Sequence, residues 1–165
     1  MKWFTNPQTL EELKKQYKQL AMKHHPDLGG SDAEMKEINA EYDKLFERLK
    51  NVRQNASGET YFAKEETTET PEQFREIVNR LITLEGIIIE VCGSWLWVSG
   101  NTKQYREALK ELHFRWSKNK CAWYFHNEGY HKIGKKTFTM DEIRTMWGSE
   151  TIESKRNNKL NAAMA

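Results

Sequence analysis

His25, Pro26 and Asp27 stand in a row between two stretches of helical periodicity. An imidazole, a backbone-stiffening ring and a carboxylate make a short loop with an acceptor at its tip. Asp27 can engage a cation on a partner through a charge-assisted hydrogen bond, which is strong where partly desolvated. The plainer reading is a proline-stopped helix whose Asp27 only caps the loop. Upstream, Lys14, Lys15 and Lys18 fall together beside Tyr17, and Lys23 falls on the opposite face. Lysines on a rigid helix steer toward an acidic surface; a solvated helix face is the alternative.

A second concentration lies further on. Trp95, Trp97, Trp116, Trp123, Tyr124 and Tyr130 interleave with Lys103, Arg106, Arg115, Lys118, Lys120, Lys132, Lys135 and Lys136. Aromatic platforms beside phosphate-neutralising cations suit single-stranded or structured nucleic acid. Trp95, Trp97, Lys103, Arg115, Lys118, Lys120 and Trp123 are the candidate residues for that contact. Against it stands the ordinary use of tryptophan as core and of lysine as a solvated rim, since a small module needs large side chains to stabilise it. A protein-binding surface is equally admissible. Cys121, His126, His131 and His113 lack the paired-ligand spacing of a zinc knuckle, so no metal site is read. Cys92 and Cys121 bring no motif for an orienting group or oxyanion hole, and no phosphate-binding glycine loop occurs. The chain reads as a binding protein, without a catalytic centre or cofactor of its own.

These residues need elements to position them. Thr9 and Glu12 have capping-box spacing. Leu10, Leu13, Tyr17, Leu20, Ala21 and His24 then share one helical face, which makes His24 a packed histidine. Pro26 ends this helix, Gly29 and Gly30 loosen the turn, and Ser31 or Asp32 caps a second helix. There Met35, Ile38, Tyr42, Leu45, Phe46 and Leu49 repeat the same spacing. Two equal stripes joined by a short loop predict an antiparallel helical hairpin. From Pro71 the order is helix (to Leu84), two strands (Ile87–Val91 and Trp95–Val98), helix (Gln104–His113), two strands (114–116 and 123–125), and a helix from a second capping box, Thr139 with Glu142, to Trp147. The expected class is α+β: an N-terminal hairpin at 1–50, a linker at 51–70, a small antiparallel sheet with helices on one face at 71–150, and a polar tail at 151–165. Tyr61 and Phe62 are the linker's only large apolar residues.

The net charge of +2 over 165 residues is a cancellation. Residues 1–50 are neutral, 51–100 carry −4, 101–140 carry +6, and the last 25 are neutral. That balance excludes a uniformly basic nucleic-acid protein and a strongly acidic disordered chain. No apolar run reaches the roughly 20 residues of a membrane span, and no signal-peptide core follows the amino terminus. With two cysteines and no CxxC pair, a reducing cytoplasm is the expected setting.

His25-Pro26-Asp27, preceded by LKKQYKQLAMKH and followed by a helix containing EINAEYDKLF, resembles the J-domain of the DnaJ co-chaperone family over about residues 10–47. The resemblance implies a partner, a DnaK-type chaperone ATPase whose ATP hydrolysis J-domains accelerate. It also implies site residues: His25, Pro26 and Asp27 as the signature loop, and Lys14 and Lys18 with Tyr17 as the docking face. The usual aromatic-plus-leucine first helix is reduced to Trp3 and Phe4, and Gln19 replaces a common basic residue. The glycine/phenylalanine segment and the CxxCxGxG repeats are absent, as in class C J-proteins, where a second module decides where the chaperone is sent. LGGSDAEM is similar to the spacing in compact viral J-domains, which suggests a phage or mobile element. YREALKELHFRWSKNKCAWYF is weakly similar to the HARP module attached to DNA-annealing helicases. Two readings result: a J-domain co-chaperone targeted by its C-terminal module, or a nucleic-acid-binding accessory protein whose J-domain is an interaction arm.

Overall fold

Thr9 opens the first helix, α1 (Leu10–His24), by accepting the backbone N–H of Glu12 on its side chain at 3.3 Å. The computed structural model describes residues 1–55, 57–64, 67–127, 136–148 and 152–153. They fall into two compact units, 1–83 and 84–165. In the first, α1 runs antiparallel to α2 (Asp32–Leu49), with one 3-10 turn, Pro26–Leu28, between them. All six apolar residues expected on the α2 stripe are buried. Tyr17 and Tyr42 meet at 4.4 Å between ring centroids, and Phe74 lies 6.0 Å from each.

Phe74 belongs to a third helix, α3 (Pro71–Leu81), capped by Thr70 and Gln73 in a full capping box. The sequence reading groups this helix with the second module, but the structure places it in the first unit. Its apolar stripe of Phe74, Ile77, Val78 and Leu81 is buried there, and Arg75 pairs with Asp43 of α2 at 3.0 Å. An amphipathic helix declares that it must bury a face, not which neighbour it faces.

Residues 51–70 also differ from the expected linker. They hold a hairpin of β1 (Val52–Gln54) and β2 (Thr60–Phe62), whose turn is organised by Asn55. The Asn55 side-chain oxygen accepts the amides of Ser57 and Glu59 at 3.0 and 2.9 Å. Buried charges tie the segment to α1. Lys14 Nζ sits 2.5 Å from Glu69 Oε2, and Arg53 lies 3.6 Å from Glu11. Tyr61 and Phe62 stay exposed.

The second unit is a five-stranded antiparallel sheet in the order β5-β6-β4-β3-β7. Its strands are β3 (Ile87–Cys92), β4 (Trp95–Gly100), β5 (Arg115–Ser117), β6 (Ala122–Phe125) and β7 (Ile152–Glu153). The expected strand pairs and α+β class are present, and β7 adds an edge that the sequence reading leaves in the polar tail. Helix α4 (Arg106–Glu111) follows a 3-10 turn, and α5 (Met140–Trp147) follows Thr139. The helices lie on both sides of the sheet, not on one. Register puts Val98, Trp123, Phe125 and Trp116 on one face, where Phe114 after α4 meets Phe125 at 5.5 Å. Trp95, Trp97 and Tyr124 point the other way, where Met140, Ile143 and Trp147 of α5 pack with Cys92, Trp97 and Ala122. Arg144 of α5 clamps the buried Glu90 of β3 through two hydrogen bonds of 2.7 and 2.8 Å.

Removing one partner of a buried pair strands the other charge. Glu69→Ala is therefore expected to lower unfolding free energy in urea by about 3–5 kcal/mol. The double change Lys14→Met with Glu69→Leu should recover most of that loss.

Candidate functional site

The His25-Pro26-Asp27 loop is held by its own backbone. The His25 N–H closes α1 on the Ala21 carbonyl at 2.9 Å. Its φ and ψ of −65° and 133° are those a residue preceding proline favours. The His25 carbonyl then accepts the amides of Leu28 and Gly30, at 3.0 and 2.9 Å. Gly29 turns the chain at a φ of 89°, where a side chain is strained. Gly30 passes so close to α1 that a Cβ would collide with the carbonyl of His24.

Side chains finish the arrangement. His25 Nδ1 accepts the Asp27 N–H at 3.2 Å. A nitrogen that accepts carries no proton, so its 3.7 Å approach to the Asp27 carboxylate is not an ion pair in this form. The His25 side chain is 12% exposed and that of Asp27 66%. The loop thus tucks the imidazole in as a cap and projects the carboxylate, with Pro26 exposed beside it.

The amino-terminal segment braces this end of the hairpin, a role the sequence reading does not assign to it. Glu41 of α2 accepts the backbone amides of Lys2, Trp3 and Phe4 at 3.0 to 3.4 Å. Glu37, one turn earlier, receives Lys2 Nζ at 2.6 Å and the Trp3 indole N–H at 3.2 Å. The Trp3 ring meets His24 edge-on at 5.0 Å, and Glu34 lies 2.8 Å from His24 Nδ1. His24 is packed as expected, though between a tryptophan and a carboxylate. The available signal was the spacing of Glu34, Glu37 and Glu41, which puts three acids along one edge of α2.

The residues of the expected docking face are enclosed. Lys14 and Lys18 are 3% and 0% exposed, and Tyr17 is fully buried. Besides its pairing with Glu69, Lys14 lies over the Phe74 ring at 5.1 Å. The Tyr17 hydroxyl donates to Asn39 at 2.9 Å, and burial holds its pKa well above the ordinary phenol value. The cause is α3, which covers the side of α1 that periodicity leaves open to solvent. The accessible edge of α1 carries Lys15, Gln19 and Lys23, spaced by four and ending one turn before the loop.

The expected nucleic-acid residues are also divided. Trp97 and Trp123 are buried at 5% and 6% exposure, and they lie on opposite faces of the sheet. Trp95 stacks between Trp97 and His126, so these rings form no continuous platform with Trp123. Lys120 lies over the Trp97 ring at 5.6 Å on that same side, and Lys118 is exposed in the β5–β6 turn. Lys103 is exposed near Trp116 and Trp123 on the other side, whereas Arg115, paired with Tyr124 in register, is exposed on the Trp97 side. Tyr130, His131, Lys132 and Lys135 lie outside the described residues, as do residues 154–165 of the tail. Cys92 is buried and Cys121 exposed, both as free thiols. Among the described residues no three metal-ligating side chains cluster, and no helix is long and apolar enough to cross a membrane.

The chain is 40% identical over 58 residues to the chaperone protein DnaJ of Finegoldia magna, covering 33% of this chain and 16% of that one. With the DnaJ of Acetobacter pasteurianus the identity is 43% over 58 residues, covering 33% and 15%. The N-terminal third is DnaJ-like. The chain spans about a sixth of the length of these curated relatives. No family model and no solved structure matches it.

Acid should release the amino-terminal brace. Burial alone would raise the Glu41 pKa, but the three amides outweigh it and hold the carboxyl below its usual range; Lys2 and Trp3 do the same for Glu37. A depressed carboxyl stabilises above its unfolded value and loses that contribution as pH falls through the folded one. Amide-exchange protection at Trp3 and Phe4 is therefore expected to be constant at neutral pH and to fall below about pH 4.5. Glu41→Gln should cut that protection by about tenfold at neutral pH and abolish the acid transition.

Proposed function

We propose that the chain is a J-domain co-chaperone that docks on a DnaK-type ATPase through His25-Pro26-Asp27 and accelerates its ATP hydrolysis. One observation carries the reading. A two-thirds-exposed carboxylate is presented by a loop that three backbone hydrogen bonds and a histidine cap hold fixed, in the DnaJ-like third of the chain. A preorganised acceptor loses little entropy on binding, and a cation on the partner would complete a charge-assisted bond. Lys23 and Lys15 take the steering role given to Lys14 and Lys18, because the latter two are buried. The ATP chemistry belongs to the partner, so the chain needs no catalytic centre of its own. The second unit acts as the targeting module of a class C J-protein in the cytoplasm.

Single-turnover ATP hydrolysis by a DnaK-type chaperone tests this. The wild-type chain should stimulate it, and His25→Gln or Asp27→Asn should abolish stimulation while leaving helical content unchanged. Lys23→Glu should lower the apparent affinity by about tenfold, more at low salt than at high. Gly30→Ala, which keeps all three signature residues, should also lose stimulation by opening the loop. Absence of stimulation by the wild-type chain, or stimulation by His25→Gln equal to it, overturns the reading.

A further inference from the structure

Between the 3-10 turn at Lys103–Tyr105, the first turns of α4 and the outer strands β5 and β6 lies an open cavity of about 610 Å³. Phe114, Trp116 and Trp123 form its aromatic surface, and Lys103 and Arg106 flank it. The two indoles meet edge-on at 5.6 Å, with Trp123 buried and Trp116 left 47% exposed. An indole so exposed at a sheet edge is costly to leave in water and ready to stack. Among the described residues, no carboxylate pairs with Lys103 or Arg106, whereas Lys110 nearby pairs with Glu107 at 3.4 Å. Two uncompensated cations beside an aromatic hollow define a ligand that is flat and apolar at its centre and anionic along its flanks.

We propose that this cavity binds single-stranded nucleic acid, with an unpaired base stacked on Trp116 and flanking phosphates on Lys103 and Arg106. The chemistry excludes a duplex, whose bases already stack on each other, and a purely acidic peptide, which would leave the indole unused. The volume lies in the range of small-ligand clefts, enough for a base and its sugar. The site uses Lys103 and Trp123 from the sequence candidates, adds Trp116 and Arg106, and leaves out Trp95, Trp97, Arg115, Lys118 and Lys120. It is independent of the chaperone-docking loop.

Fluorescence anisotropy of the full chain with labelled oligothymidylate and oligouridylate of roughly 12 nucleotides tests it. Binding to one or both is expected, and the two arms distinguish DNA from RNA. The logarithm of affinity should fall with the logarithm of salt at a slope of about −1.4, for two phosphates neutralised on a single strand. Trp116→Ala should weaken binding by about five- to 100-fold and lower the base-dependent part of it. Arg106→Glu, an exposed change on a helix, should weaken binding and flatten the salt slope. Three results overturn the proposal: no binding by the wild-type chain, equal affinity for a duplex or for polyglutamate, or wild-type affinity in both variants.

Discussion

Lys14 and Glu69 place two charges inside the first unit, and much else there depends on that pair. Neither charge is tolerable alone in a buried place, so their 2.5 Å contact fixes where the chain before α3 must lie. Thr70 caps α3 one residue later, so fixing Glu69 also fixes the start of that helix. Phe74 then completes the aromatic cluster with Tyr17 and Tyr42. A hairpin of two helices becomes a three-helix unit with one side of α1 sealed. The functional consequence is subtractive: with Lys14, Tyr17 and Lys18 enclosed, the accessible part of α1 is the edge that runs through Lys23 into the loop.

That edge ends on a loop whose geometry depends on backbone contacts. Gly30 approaches the carbonyl of His24 more closely than any side chain allows, while Glu37 and Glu41 hold the amino-terminal segment across the same end of the hairpin. His25 serves as a structural cap and Asp27 as the projecting group. The two polar signature residues therefore divide their work, one shaping the loop and one facing outward.

Local patterns were legible in the sequence where they dictated structure locally. The stripes of α1 and α2, the Thr9 and Thr139 caps, the proline stop and the strand pair around Gly93-Ser94 follow from periodicity and turn chemistry. Partner choice was not legible. Helix α3 showed an apolar face but not its destination, and Lys14 looked solvated because nothing local announces Glu69, 55 residues away. The β1–β2 hairpin escaped because its strands are three residues long, one of them wholly exposed, so no alternation develops. Trp97 and Trp123 looked like one aromatic surface until register assigned them to opposite faces. A strand's alternation is visible in sequence, but the pairing that merges two strands into a common face is not.

The two units thus divide the chemistry that the summed charge hides. The first presents one carboxylate on a braced loop, and the second gathers uncompensated cations around an indole. The central claim is that burial of Lys14 and Lys18 leaves the loop and the Lys15–Lys23 edge as the docking surface. Backbone amide shifts of the isotope-labelled chain, titrated with an ATP-bound DnaK-type chaperone, test it most directly. The account predicts perturbation centred on residues 23–28 and extending along the edge to Lys15, with α3 unaffected. Perturbation centred on Lys14, Lys18 and α3, with residues 23–28 unmoved, would contradict it.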